Sequence, residues 1–302
     1  MCQDLSKGKY GKKNSALKRL PCLDSPEMAQ SNRGVLDIPY EMAEDLGLSA
    51  VQTMDLGWYI NSAGDKVELS RLVEHACKAR LSIPPDARLP EPEKSLFNET
   101  RIQVRNETTL HAAQRLVEKG LRPIALNFAN GVHPGGGFLS GARAQEEVLC
   151  RSSALYHTLV GDPMYTYHAE RPLPDSSDWV IYSPDVPIFR SDDGTELDRP
   201  WLLSFLTCAA PYAPSVGQPK SGALIQKRIL RILSIASAYG YEVLVLGAWG
   251  CGAFANDTMR TANDFRQALE INFSGHFSEV VFAITDWSEE RSFLGPFRDV
   301  FS

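Results

Sequence analysis

From residue 101 to the end of the chain, short apolar runs alternate with amphipathic helical segments. "RIQV" (101–104) reads as a strand, and "ETTLHAAQRLVEKG" (107–120) as a helix that stops at Gly120. "PIALNFA" (123–129) reads as a buried strand. "AQEEVLCRSSALYHTL" (144–159) predicts one helix, with Val148, Leu149, Leu155 and Leu159 on one face. "WVIYS" (179–183), "WLLSFLTCAA" (201–210), "EVLVLGAWG" (242–250) and "SEVVFAITDW" (278–287) predict further strands. Helices are expected over 222–240, 256–273 and 293–301. Strands alternating with helices over such a length predict an α/β fold with a central, largely parallel sheet. Ligands of such sheets bind beyond the carboxyl ends of the strands.

The first third is less regular. "GWYINSAGDKVELS" (57–70) carries a hairpin signal around Gly64-Asp65, and "RLVEHACKA" (71–79) a short helix. "SIPPDARLPEPEKS" (82–95) holds four prolines and reads as a linker or surface connection. The start, "MCQDLSKGKYGKKNSALKRLPCL", is basic without an apolar stretch behind it, so it reads as a tail rather than a signal peptide. Length and composition (302 residues, 43% hydrophobic, 23% charged) suit one large domain or two small ones. A net charge of -6 argues against a sequence-independent nucleic-acid binder, though a local basic groove is allowed. The six cysteines (Cys2, Cys22, Cys77, Cys150, Cys208, Cys251) are scattered and show no metal-ligand spacing. A reduced intracellular compartment is the simpler reading. No apolar run reaches the length of a membrane span.

Two glycine-rich loops follow buried strands. The first, "NGVHPGGGFLSGARAQEE", places Gly135, Gly136 and Gly137 seven residues ahead of Gln145-Glu146-Glu147. The second is "GAWGCGAFAND" (247–257). Backbone without Cβ atoms lets amides approach a phosphate, and a following helix adds positive dipole character. Neither loop fits the dinucleotide or NTP-hydrolase fingerprint. Acids in a helix's first turn are commonly there for the dipole alone. Beside a loop that would hold a ligand, however, a carboxylate is also what glycosidic cleavage requires.

The triple glycine followed by QEE resembles the signature of poly(ADP-ribose) glycohydrolases. "NFANGVHPGGGFLSGARAQEEVLCRSSAL" resembles the bacterial-type branch, whose core is a macrodomain, and Phe128-Ala129-Asn130 is also similar to the animal-type enzymes. The resemblance covers roughly residues 100–290. It implies a macrodomain-like three-layer fold with a mixed, largely parallel sheet over 96–302, preceded by a helical and hairpin extension over 1–95. It implies that Glu147 is the catalytic acid, which protonates the leaving ribose oxygen of the 1''→2' bond and then activates water. Glu146 would position ribose hydroxyls and Gln145 would support the loop. Asn130 would hold the distal ribose, and the amides of Gly135, Gly136 and Gly137 the diphosphate. Gly250, Cys251, Gly252 and Ala253 would supply further amides to the phosphates, with Phe254 packed on the distal ribose. Glu107 and Trp287 occupy, in order, the places of the macrodomain's adenine-binding acid and aromatic.

No metal or cofactor is implied. Poly(ADP-ribose) or an ADP-ribosylated protein would be the substrate and ADP-ribose the product, with no membrane or sequence-specific nucleic-acid partner. A cytoplasmic monomer is expected, with a nuclear address the alternative in a eukaryote. Two other readings stay open: a hydrolase of single ADP-ribose units on protein or nucleic acid, and a non-catalytic ADP-ribose reader. His133 reads as a loop-stiffening or exposed residue and Cys251 as a space-filling one. Asp185, Asp192 and Asp193 read as a solvated loop.

Overall fold

The structure is a computed structural model that describes residues 16–91 and 97–302. The first fifteen residues of the basic tail and the end of the proline-rich connection lie outside the described residues, as does the expected boundary at 95/96.

Ten strands are described: β1 (Ala16–Arg19), β2 (Trp58–Ile60), β3 (Lys66–Glu68), β4 (Leu81–Ile83), β5 (Glu99–Arg105), β6 (Pro123–Ala129), β7 (Val180–Arg190), β8 (Glu196–Ala209), β9 (Val243–Leu246) and β10 (Glu279–Ala283). The α-helices are α1 (Pro26–Leu36), α2 (Tyr40–Leu56), α3 (Ser70–Ala79), α4 (Thr109–Glu118), α5 (Gln145–Ser152), α6 (Leu155–Leu159), α7 (Pro163–Ala169), α8 (Ala213–Val216), α9 (Lys220–Ala238), α10 (Thr258–Gln267) and α11 (Leu294–Phe301). Eight strands form one sheet in the order β1-β5-β10-β9-β6-β8-β7-β4. Only β7 runs against the rest, pairing antiparallel with β8 and β4. The predicted hairpin forms the separate β2–β3 pair.

Strand alternation sorts the sheet's side chains into two cores. Ile124, Leu126, Leu244, Leu246, Val280 and Phe282 pack on the side of α9, α10 and α11. Ala125, Val243, Val245, Val281 and Ala283 face the opposite core, built with residues of α2, α3, α4, α5 and α6. The result is helix, sheet, helix, and both faces of the parallel strands are covered, as such strands require.

Three expectations need correction. The proline-rich connection begins as a strand: β4 pairs with β7 at one sheet edge before the chain turns at Pro84. The single helix over 144–159 is two, α5 and α6. Ser153 breaks it, because its hydroxyl donates to the Leu149 carbonyl (2.6 Å) and accepts from the Leu155 amide (3.1 Å), while the Ala154 amide donates to Pro187. The strands over 179–183 and 201–210 are the inner ends of a long hairpin, β7–β8, with register shifts after Ser183 and Ile188. Both outer strands, β1 and β4, come from the N-terminal segment. Among the described residues no helix is long and apolar enough to cross a membrane.

Candidate active site

β9 stops at Leu246 while β6 continues to Ala129, so beyond Ala125 one edge of β6 lacks a strand neighbour. Gln145 takes that place. Its Oε1 accepts from the Phe128 amide (2.9 Å), and its Nε2 donates to the Leu126 carbonyl (2.8 Å) and Thr109 Oγ1 (3.1 Å). The start of α5 is thereby fastened where the sheet divides.

The two acids that follow are both buried. Glu146 Oε2 accepts from the Asn130 amide (2.6 Å), and Oε1 from Asn127 Nδ2 (3.2 Å). Burial pushes its carboxyl up to about 8, and neighbouring Glu147 adds to the rise. Glu147 Oε1 accepts from the Gly137 amide (3.0 Å), whereas Oε2 is buried with no hydrogen-bond partner among the described residues.

The triple glycine exists for these carboxylates. Gly136 has φ +60°, and a Cβ there would stand 2.2 Å from Glu147 Oε1 and 3.2 Å from Glu146 Oε2. A Cβ on Gly135 (φ +72°) would meet the Phe138 ring and Cys150 Sγ. Asn130 tightens the same loop: its Oδ1 accepts from the Val132 (2.9 Å) and His133 (3.0 Å) amides. His133 itself is exposed, and its carbonyl accepts from Gly136.

The acids stand at a cavity of about 500 Å³ at the carboxyl ends of the strands. Glu146, Glu147, Gln145 and Asn130 line it, as do Gly250, Gly252, Ala253 and Phe254 of the second loop. Phe254 is half-buried and meets Tyr212 edge-on at 5.9 Å. Gly250 (φ +74°) turns the second loop, and Asn256 Nδ2 stitches it by donating to the carbonyls of Pro211 (2.8 Å) and Gly250 (3.0 Å). Glu107 and Trp287 also line the cavity. Glu107 is buried and paired with Arg105 (2.9 Å) and Arg115 (2.8 Å) through one oxygen, while Oε2 faces His111 Nδ1 at 3.8 Å and has no hydrogen-bond partner among the described residues. Trp287 is 41% exposed at the rim.

Some expected residues stand elsewhere. Among the described residues the cavity wall does not include Gly135, Gly136, Gly137 or Cys251. The Gly136 amide donates to the His133 carbonyl and the Gly137 amide to Glu147 Oε1. The Cys251 amide donates to Ala248 and its buried thiol is pushed up to about 11 by burial. Asp192, expected in a solvated loop, lines the cavity and accepts from Thr108 Oγ1 (2.6 Å). Burial raises its carboxyl to about 6. Asp185 lies within β7 at φ +49°, its amide donating to Ser204 Oγ.

Arg143, Thr108, Leu36 and Phe293 also line the wall and were not foreseen. Arg143 NH1 donates to Asp37 Oδ1 (2.8 Å) and the Ile38 carbonyl (2.5 Å), with its guanidinium 4.4 Å from the Tyr40 ring centre. Its charge two residues ahead of QEE was the available sign. Nothing in the sequence of α1 marks Leu36.

A buried acid pair held between two glycine loops, at the open ends of a largely parallel sheet, defines a glycosidase site on a macrodomain-like fold. Residues 48–191 match the family described as microbial-type PARG, catalytic domain. The structure is similar to poly(ADP-ribose) glycohydrolase (PARG) from Thermomonospora curvata, at 36% identity and a TM-score of 0.78, covering 86% of this chain and 98% of that one. The same enzyme bound to the inhibitor ADP-HPD matches at 39% identity and a TM-score of 0.78, over 86% and 99% of the chains. PARG from Deinococcus radiodurans in complex with ADP-ribose matches at 42% identity and a TM-score of 0.65, over 67% and 84%. No curated protein matches. The chain belongs to the microbial-type poly(ADP-ribose) glycohydrolase family.

Proposed function

We propose that the protein hydrolyses poly(ADP-ribose) at the 1''→2' ribose–ribose bond and releases ADP-ribose, with Glu147 as general acid and then general base. The observation that carries this is the Glu147 carboxyl: one oxygen is held by the Gly137 amide, the other is buried without a hydrogen-bond partner among the described residues, and the residue forms part of the cavity wall. Family membership and the ADP-ribose and ADP-HPD complexes of related enzymes support the reading.

The second loop holds the diphosphate through Gly250, Gly252 and Ala253. Asn130 and Phe254 fix the distal ribose, and Glu107 and Trp287 take the adenine. Protonated Glu147 gives its proton to the leaving 2' oxygen as the bond to C1'' breaks. The resulting carboxylate then takes a proton from water, whose oxygen bonds to C1''. Glu146 stays largely protonated near neutrality, which spares Glu147 a second negative charge beside it. Gln145, Glu146 and the three glycines hold the acid in place. The protein acts as a monomer in the cytoplasm, with residues 1–95 as an extension of the catalytic domain.

The test is a time course on poly(ADP-ribosyl)ated and mono(ADP-ribosyl)ated acceptor, with Glu147→Gln alongside. ADP-ribose released from polymer by the wild type but not by the variant, with ADP-ribose still bound by both, is the expected result. Release from the mono-modified acceptor alone overturns the substrate assignment. Equal activity of the variant overturns the role of Glu147.

A further inference from the structure

One helical turn after Glu147, on the same face of α5, stands Arg151. It is 1% exposed, and none of its three guanidinium nitrogens has a hydrogen-bond partner among the described residues. A guanidinium removed from water without hydrogen bonds is costly, and well-packed apolar side chains often replace such buried charges at no loss of stability. Packing therefore gives no reason for arginine at this position. Its backbone carbonyl accepts from Arg190 NH1 at 3.4 Å.

The surroundings give a different reason. Burial lowers the readiness of Arg151 to hold its proton, and Asp192 and then Glu147 are the acids that oppose this. Each of these acids keeps one buried oxygen without a hydrogen bond among the described residues: Asp192 Oδ1 and Glu147 Oε2. Both acids line the cavity. A single buried cation thus stands behind two carboxyls of the cavity wall. Other charged or titratable groups around this cluster are Glu146 and Cys150 on α5, Arg143 ahead of it, Asp193 in the β7–β8 turn, His111 on α4 and Arg190 on β7. Arg143 and Arg190 are engaged with Asp37 and Glu196, and the Cys150 thiol is pushed up by burial.

We propose that Arg151 is a positioning residue for the hydrolysis: its guanidinium balances Asp192 while Glu147 is protonated, and stabilises the carboxylate that Glu147 becomes once its proton has passed to the leaving oxygen. This rests on Glu147 being the acid. The demand for charge at Glu147 changes during turnover, so a permanent cation behind it acts on the steps in which it is ionised. ADP-ribose binding does not need that change.

The experiment compares wild type, Arg151→Met, Arg151→Lys and Arg151→Met/Asp192→Asn. It follows ADP-ribose release from poly(ADP-ribose) as a function of pH, ADP-ribose affinity by calorimetry, and stability by urea unfolding. For Arg151→Met, kcat falls at least about tenfold, short of the ~10²–10⁴-fold that general acid–base catalysis itself supplies. KM and ADP-ribose affinity stay within about twofold, because the loss lies in a step after binding. The alkaline limb of the pH–rate profile moves in Arg151→Met, because the cation behind the two cavity acids is gone. Arg151→Lys restores most of kcat, and stability does not fall. If Arg151→Met fails to fold, the charge-neutral double variant must show the same loss of kcat. Wild-type kcat and an unmoved limb in either Met variant overturn the inference alone. So does a joint fall in kcat, affinity and stability that lysine does not repair. A wild type that releases nothing from polymer overturns the proposed function and the inference with it.

Discussion

Gly136→Ala is the most direct test of what the triple glycine does. The added Cβ would lie 2.2 Å from Glu147 Oε1, against about 3.5 Å for ordinary contact. The carboxylate must therefore retreat by more than about 1 Å, because the other side of the contact is the glycine's own backbone. Retreat also breaks the 3.0 Å bond from the Gly137 amide. A displacement of that size at a reacting group costs about 10²-fold in rate. The backbone contributes separately: φ is +60°, and an alanine held in the left-handed region costs about 1–2 kcal/mol. Gly120→Ala separates the two effects. Its φ is +76°, yet a Cβ there meets nothing within 4 Å. Both variants should lose about the same stability in urea unfolding. Only Gly136→Ala should lose kcat for ADP-ribose release, by about 10²-fold. Retention of kcat within about threefold would refute the claim that bare backbone is needed to seat the acid.

Two further outcomes follow from the site. Glu146 holds its proton up to about 8 against an ordinary value near 4.5, so the native state binds more protons than the unfolded chain in that window and stability falls as pH rises through it. Glu146→Gln removes this slope, worth at most about 5 kcal/mol, and urea midpoints at pH 5 and 9 should converge in the variant. Trp287→Ala should leave stability unchanged, since the ring is 41% exposed, while loss of a base-stacking face costs about 1–3 kcal/mol and weakens ADP-ribose about tenfold or more in calorimetry.

The parts of this architecture set by local periodicity were legible in the sequence. Buried parallel strands such as "PIALNFA" and "EVLVL" are mostly apolar on both faces, and the amphipathic stretch over 222–240 reads as the helix α9 that it forms. Where a single side chain overrides the periodicity, the reading failed. The apolar face across 144–159 continues through Ser153, but the Ser153 hydroxyl ends one helix and starts the next. The glycine loop was legible as a place of close approach, but not for what. The expectation was a phosphate at the loop; the carboxylates of α5 accept from the Asn130 and Gly137 amides. Asn127, polar in an otherwise apolar strand, was the sign that an acid had to be met inside the fold. Asp192 could not be placed from sequence, because its position depends on how far the β7–β8 hairpin curls back towards Thr108.

The same distinction explains the N-terminal segment, whose sequence is the least characteristic. Its helices bear on the loop between the glycines and the acids. The Phe138 carbonyl lies against Gly47 of α2, where a Cβ would come within 2.3 Å, and Gly141 packs as closely on the Tyr40 backbone. Arg143, a wall residue of the cavity, is tied to Asp37 and Ile38 where α1 gives way to α2. A loop rich in glycine loses more conformational freedom on ordering than any other, and its own few side chains offset little of that cost. Contacts from outside the loop must therefore hold it, and α1 and α2 provide them. The requirement is one of shape rather than of chemistry. Many sequences could meet it, which is why this segment carries a faint signal while sitting within one residue's reach of α5.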